Sequence, residues 1–536
     1  MELKHGVLAA LSRFGLGQVA LAAHDRVAEA PGIGIGVDDS IASYSLENDS
    51  AGTVLFPLIP GYSTLCYRFG ALGHAFRTRG HRPLILYDDD DLRSSPELTV
   101  DSPHPSTTTE LCRFRAKRVS SMFGLDTVSV SDALPAEYRE PSLPNDIESA
   151  TYRGVPVSRI ATTSVKKYLK RYTLDLSDPN ARSAYTDFLL DAMVLTDAIY
   201  ALAETVDPEL IVVNEPYYLQ GAVPIAAGRQ AGIGCYSQMN GYFDATIMFG
   251  RGDNRSPMPQ FTNPDVVEAA LEMPLSDDER ATIETVMEGR KSGRIVRQRY
   301  SSGTNQSLDP DADTLVGVFT NLLWDASLIP EGAVYDDVYE WLSDTISELG
   351  GQSDIHAVIK THPAEAKFGT RESVSGWLQD TYDQLPDNVT HLLPDTDVDT
   401  YALIETLDVG IVFNSTVGLE MAFEGKPVVT AGYPHYLGFG FTYDSDSKPA
   451  YRNLLGRLDE LELSDEKQRR AERYAHFFFA CKHLDFSIQD TDPGGRSANV
   501  VEHADLEPGS QPYDAIVEQI LAGDEVIAPS CRHRIQ

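Results

Sequence analysis

The sequence predicts an α/β protein with two nucleotide-type domains, each an open parallel sheet covered by helices. Three observations predict it. Short apolar runs alternate with helix-patterned segments through two separate stretches of the chain. At 536 residues the chain is too long for one ordinary domain. The 42% apolar content supplies a real core in each.

The first alternating stretch opens with a strand at Thr53–Leu58, a helix at Ser63–Thr78 and a strand at Pro83–Tyr87. Helices at Glu110–Met122 and Asn180–Glu204 follow, then strand Glu209–Val213, helix Gln220–Gln230 and strand Ile233–Tyr236. The second stretch is cleaner: strand Leu315–Phe319, helix Val334–Leu349, strand Ile355–Lys360, helix Glu372–Gln384, strand Thr390–Leu392 and helix Thr400–Leu407. It continues through strand Val409–Phe413, helix Thr416–Glu424 closed by Gly425, strand Pro427–Thr430 and helix Asp465–Cys481. The expected domains are a helical arm and linker (1–50), a first α/β domain (51–262), a charged helical connector (263–312), a second α/β domain (313–490) and a polar tail with one helix at Tyr513–Leu521 (491–536).

Composition excludes several classes. With 80 acidic against 44 basic residues, a net charge of −36 disfavours nucleic acid as a partner. Spread along the chain, that charge reads as a halophile's solvated surface, screened by salt. No apolar run is long enough to span a bilayer. Met1–Val27 lacks the apolar centre of a signal peptide and reads as an amphipathic arm, so the expected location is cytoplasmic, with peripheral membrane contact open. Five scattered cysteines without C-x-x-C indicate neither a disulfide framework nor a zinc site. Three basic clusters stand out: Arg113–Arg118, Lys166–Arg171 and Arg290–Arg299, each either a solvated paired face or an anion attractor. Asp88–Asp91 reads as a solvated loop, and the glycines at 32, 34 and 36 follow no strand, so they make no dinucleotide loop.

Ligands of open α/β sheets bind beyond the carboxyl ends of the strands. Three polar clusters of the second domain stand at such ends. One is Thr320–Asp325, with Asn321 and Asp325. The second runs through Lys360, His362, Pro363 and Glu365. The third is Asn414-Ser415-Thr416-Val417-Gly418. A small hydroxyl-rich turn at a helix start offers unpaired N–H groups to an anion. Lys360 and His362 can offset phosphate charge, and Glu365 and Glu420 can accept hydrogen bonds from sugar or ribose hydroxyls. The combination suits a nucleotide sugar, with Asn321, Lys360, Glu365, Asn414, Ser415, Thr416, Gly418, Glu420 and His435 as the donor-binding set.

Taken in order, Lys360-Thr361-His362-Pro363, the Asn414–Glu420 block, Gly425–Val429 and Gly432 to Thr442 resemble the capsule-polysaccharide glycosyltransferases of the GT-B fold, including Kdo transferases and polysialyltransferases. The resemblance covers about Asp313–Thr442. It implies two Rossmann-like domains facing across a cleft, the second holding the activated donor and the first the saccharide acceptor. It also implies metal independence and no cofactor beyond the nucleotide-sugar co-substrate. Transfer then needs a stabilised leaving phosphate, for which His362 and the Ser415/Thr416 turn are the candidates, and a base for the acceptor hydroxyl. Glu215, just past its strand in the first domain, is the first choice of base and Asp325 the second. A polyol-phosphate transferase of the teichoic-acid type and a nucleotide-sugar 2-epimerase are the alternative activities.

Overall fold

The computed structural model describes residues 36–45, 50–59, 63–95, 98–102, 105–294, 312–325, 333–396, 398–486 and 500–535. The expected arm at Met1–Val27 and the basic residues Arg297 and Arg299 lie outside them. The chain divides into two compact units. The first comprises the described residues up to Leu169, Leu174–Asn263 and Lys482–Ser530; the second comprises Lys170–Thr173, Pro264–Cys481 and Cys531 onward.

Both units are Rossmann-like. In the first, the strands Asp126–Ser129, Arg82–Tyr87, Thr53–Pro57, Leu210–Asn214 and Gly234–Asn240 lie side by side in that order, all parallel. That is the 3-2-1-4-5 order of dinucleotide-binding sheets. Thr246–Arg251 and Leu484–Asp485 extend the sheet with antiparallel pairing. The strands are continuous apolar runs because helices cover both faces: Val54, Phe56 and Val212 pack on one side, Leu55, Ile211 and Val213 on the other. The second unit runs Val389–Leu392, Ile355–Lys360, Thr314–Phe319, Val409–Val412, Val428–Thr430 and Tyr443–Asp444, parallel throughout, in the order 3-2-1-4-5-6. Its core gathers Val316, Val318, Ile359 and Ile411 around Trp341, which is fully buried with Nε1 donating to the Tyr451 hydroxyl at 2.8 Å.

Several expectations need correction. Residues 500–530 are part of the first unit, not a separate tail. The helix Tyr513–Ala522 buries Ile516, Val517 and Ile520 against Phe69 and Leu72, so its apolar stripe completes that core. Inside the same unit the Lys482 ammonium, fully buried, donates to the Phe249 carbonyl at 2.7 Å and lies 3.6 Å from Glu525. The connector is not free either. Its helices Pro264–Glu272 and Asp277–Lys291 belong to the second unit, where Arg473 donates to the Leu271 carbonyl at 3.0 Å. The expected helix at Asp465–Cys481 is α-helical only to His476; Phe477–Cys481 is a π-helix. Cys481 and Cys531 are paired as a disulfide, joining residues 50 apart in a way no local spacing signals. Among the elements that went unread are the strands Asp126–Ser129 and Thr246–Arg251 and the helix Val157–Leu169. The first is short and opens on two exposed polar residues, so it lacks an apolar run.

Residues of the first and third basic clusters are paired. Arg113 bonds Asp88 at 3.0 Å and Asp90 at 2.8 Å, and Lys117 bonds Asp89 at 2.8 Å. Lys291 meets Glu424 at 2.6 Å. Among the described residues no helix is long and apolar enough to cross a membrane.

Candidate functional site

The order of the second sheet reverses direction between Thr314–Phe319 and Val409–Val412, and crevices open at such switch points. The loops leaving these two strands are joined there. The Asn414 backbone N–H donates to Asn321 Oδ1 at 3.3 Å. The next loop is stitched to the same place, because the His362 N–H donates to Thr320 Oγ1 at 3.2 Å. Residues 320–321 thus link the three expected clusters through hydrogen bonds.

The Asn414–Gly418 turn is built by close approaches. Asn414 Oδ1 accepts from the Tyr433 N–H, and a β-carbon at Gly432 would overlap that same oxygen. The Tyr436 hydroxyl donates to the Ser415 carbonyl at 2.6 Å, and a β-carbon at Gly418 would overlap that hydroxyl. Ser415 Oγ accepts from the Val417 N–H at 3.3 Å, at the start of the short helix Val417–Phe423, whose N-cap Thr416 makes no side-chain cap bond.

His362 is half-buried. Its Nδ1 accepts from the Ala364 N–H at 3.1 Å, which leaves the proton on Nε2. Burial, then the charges of Lys360 and Lys367, push its pKa down to about 4, so the ring is neutral at neutral pH. It is a hydrogen-bond donor there, not a proton donor. Lys360 ends its strand only 3% exposed, and its Nζ has no hydrogen-bond partner among the described residues. Burial lowers its pKa, and Asp399 works against that fall. An ammonium buried without a hydrogen-bond partner is expensive and asks for an anion. Glu365, 4% exposed, accepts from the Val374 N–H at 3.2 Å through one oxygen and has no partner on the other. Burial raises its pKa to about 7.

Two expected donor-binding residues are committed elsewhere. Glu420 is 3% exposed, takes both Arg290 Nε, at 2.8 Å, and Nη2, and accepts from the Tyr401 hydroxyl at 3.1 Å. All three bonds fall on Oε1, so that oxygen is held by the ion pair and the tyrosine. Arg290 and Tyr401 could not be assigned this role in advance, since neither is near Glu420 in sequence. His435 is buried in an aromatic cluster, stacked on Phe478 at 4.0 Å, with Nδ1 2.9 Å from the Tyr474 hydroxyl. Of the two candidate bases, Asp325 stands on the turn after Thr314–Phe319, its N–H bonded to the Leu322 carbonyl at 3.1 Å. Glu215 belongs to the first unit. It follows Leu210–Asn214 with a φ of 47°, a left-handed conformation that L-residues adopt at a cost.

Residues 317–473 match the family described as capsule polysaccharide biosynthesis protein. The stretch includes all three clusters of the switch point. The capsule polysaccharide modification protein LipA of Neisseria meningitidis serogroup A is 25% identical over 213 residues, 38% of this chain and 27% of LipA. Its serogroup B counterpart is 28% identical over 159 residues, 30% of this chain and 20% of that protein. The chain therefore spans about a quarter of the length of these relatives. Among solved structures, the β-Kdo 2,4-transferase KpsC of Thermosulfurimonas dismutans overlaps 58% of this chain and 87% of its own at 12% identity and a TM-score of 0.36. The spinosyn rhamnosyltransferase SpnG overlaps 80% and 95% at 12% identity and a TM-score of 0.26. The fold follows from the strand orders 3-2-1-4-5 and 3-2-1-4-5-6.

Proposed function

We propose that this chain is a metal-independent glycosyltransferase that moves a sugar from a nucleotide-sugar donor to a surface polysaccharide or lipid-linked saccharide. In this reading the second unit binds the donor and the first binds the acceptor, in the cytoplasm at the inner face of the membrane. The observation that carries it is the switch-point cluster. A buried ammonium without a hydrogen-bond partner and a neutral imidazole with its proton on Nε2 leave one strand end, beside an Asn–Ser–Thr turn. The family match over the same residues supports it.

The chemistry follows from those groups. Lys360 offsets charge on the donor's phosphates, and the Ser415–Thr416 turn presents backbone N–H groups to phosphate oxygens. His362 Nε2–H donates to the oxygen on which negative charge develops as the glycosidic bond breaks. Glu215 takes the proton of the acceptor hydroxyl. Asn321 and Asn414 hold the turn in place through their mutual bond. The test is incubation with a panel of nucleotide sugars in molar salt and EDTA, reading nucleotide release with and without saccharide acceptors. Release from one donor, stimulated by one acceptor and indifferent to EDTA, supports the reading. Turnover only with an added divalent ion, or none with any donor, removes it.

A further inference from the structure

We propose that His476, Cys481 and Cys531, with both thiols reduced, form a binding site for one thiophilic metal ion such as Zn2+. Among the described residues these are the one group of three or more ligating side chains whose donor atoms all lie within 4.8 Å of one another, and all three are buried. All belong to the second unit.

One helix carries two of them. His476 and Cys481 are five residues apart. An α-helix advances about 100° per residue, so such residues point about 140° apart. The helix changes to a π-helix at Phe477–Cys481. Its wider turn, closed by i to i+5 bonds, swings residue 481 back toward residue 476. The π segment is uncommon and costs hydrogen-bond geometry, and its effect here is to put an imidazole and a thiol on one side. His476 Nδ1 then lies 3.8 Å from Cys481 Sγ. Tetrahedral zinc, with Zn–S of about 2.3 Å and Zn–N of about 2.0–2.1 Å, holds those two atoms about 3.5 Å apart.

Cys531 is delivered without help from the disulfide. Its turn, Pro529–Arg534, is anchored by Arg534, 1% exposed, which donates to the Ala270 carbonyl at 2.8 Å and bonds Glu279 at 3.0 Å. The third ligand therefore stays in place when the thiols are free. Two thiolates and one imidazole are a soft set suited to Zn2+, with water completing four-coordination. Binding moves no electrons: two S–H bonds lose their protons to solvent as two Zn–S bonds form. The disulfide form binds only after a dithiol supplies two electrons and two protons. A reducing compartment would keep the site in its metal-binding state.

The ion would anchor an element that other parts of the second unit lean on. Phe478 stacks on His435, and Phe479 lies 4.6 Å beneath the Arg290 guanidinium that holds Glu420.

The experiment uses the full chain. It is reduced under argon, loaded with Zn2+, passed over a chelating resin and assayed for retained zinc and free thiols. Expected are about one zinc per chain, release on mercurial titration of the thiols, background zinc in His476→Gln and Cys531→Ser, and none in the oxidised protein. Co2+ in place of Zn2+ should give a thiolate-to-metal charge-transfer band in the wild type, an arm that needs no variant to fold. Reduced, folded wild type that retains no zinc and shows no such Co2+ band overturns the proposal. So does equal zinc in the oxidised protein or in folded His476→Gln.

Discussion

The two units share a sheet order and differ in what they place at its carboxyl edge. In the second, the edge carries a buried cation without a hydrogen-bond partner, a neutral histidine and a hydroxyl turn. In the first, Asp88 is spent on Arg113 and on the N–H groups of Asp91 and Leu92, at 2.8 and 3.1 Å. What remains there is mixed: Arg68, 1% exposed, donates to Asn240 Oδ1 at the end of the strand Gly234–Asn240. Gln238 is fully buried with neither amide atom bonded, and Glu215 is held in a left-handed conformation. The proposed division, donor phosphate at the second edge and acceptor hydroxyl at the first, rests on Lys360 and Glu215. A fold does not choose its ligand; the side chains at the strand ends do.

If the edges divide the labour in this way, Glu215→Gln should lower turnover by about 10²–10⁴-fold, the range for one general base, while nucleotide affinity is unchanged. Loss of nucleotide affinity in that variant would mean that the units do not separate the two tasks. His362→Ala should lower kcat by about 10²–10³-fold, the cost of one donor to a developing oxyanion. Because the ring is already neutral near pH 7, the wild-type kcat profile should show no ionisation of His362 between pH 6 and 8. A limb in that range that vanishes in His362→Ala would mean that the ring works as an acid.

Smaller effects sharpen the second edge. Gly418→Ala should cost about 1–3 kcal/mol by forcing a methyl against the Tyr436 hydroxyl, and Tyr436→Phe should recover part of the loss. Additive losses in the double variant would show that the contact is not what limits the turn. Glu365 offers a test by pH. The folded protein keeps its proton up to about 7 and the unfolded chain releases it near the usual carboxylate value, so this group costs stability as pH rises through that window. Glu365→Gln should therefore raise Tm at pH 8, by a stability gain on the order of 2 kcal/mol, and the gain should shrink toward pH 4.5. A gain independent of pH would assign the effect to packing.

Periodicity carried most of the fold. Ile355–Lys360 was legible to the residue, because a buried parallel strand is a bare apolar run ended by a polar cluster. Thr246–Arg251 was not, since Gly250 and the flanking polar residues hide it, and Gly250 is required by the close approach of Pro259. At the site, sequence could place residues at strand ends but could not see their partners. Lys360 and Glu420 look alike as charged residues beside apolar runs. One has no hydrogen-bond partner, and the other is paired with an arginine 130 positions away. The cysteine pair was illegible for the same reason: its members lie 50 positions apart, with Lys482–Ser530 of the first unit between them.

The most direct test of the anion-binding edge is calorimetric titration of free nucleotides, CMP and UDP among them, into wild type and Lys360→Met in molar salt with EDTA. One nucleotide should bind the wild type without metal. The variant should bind it about 10- to 150-fold more weakly, as expected for a lost charged hydrogen bond. Its Tm without ligand should rise, because the substitution removes a buried charge without a hydrogen-bond partner. Equal affinity in the two proteins, or wild-type binding that appears only with a divalent ion, would contradict the account.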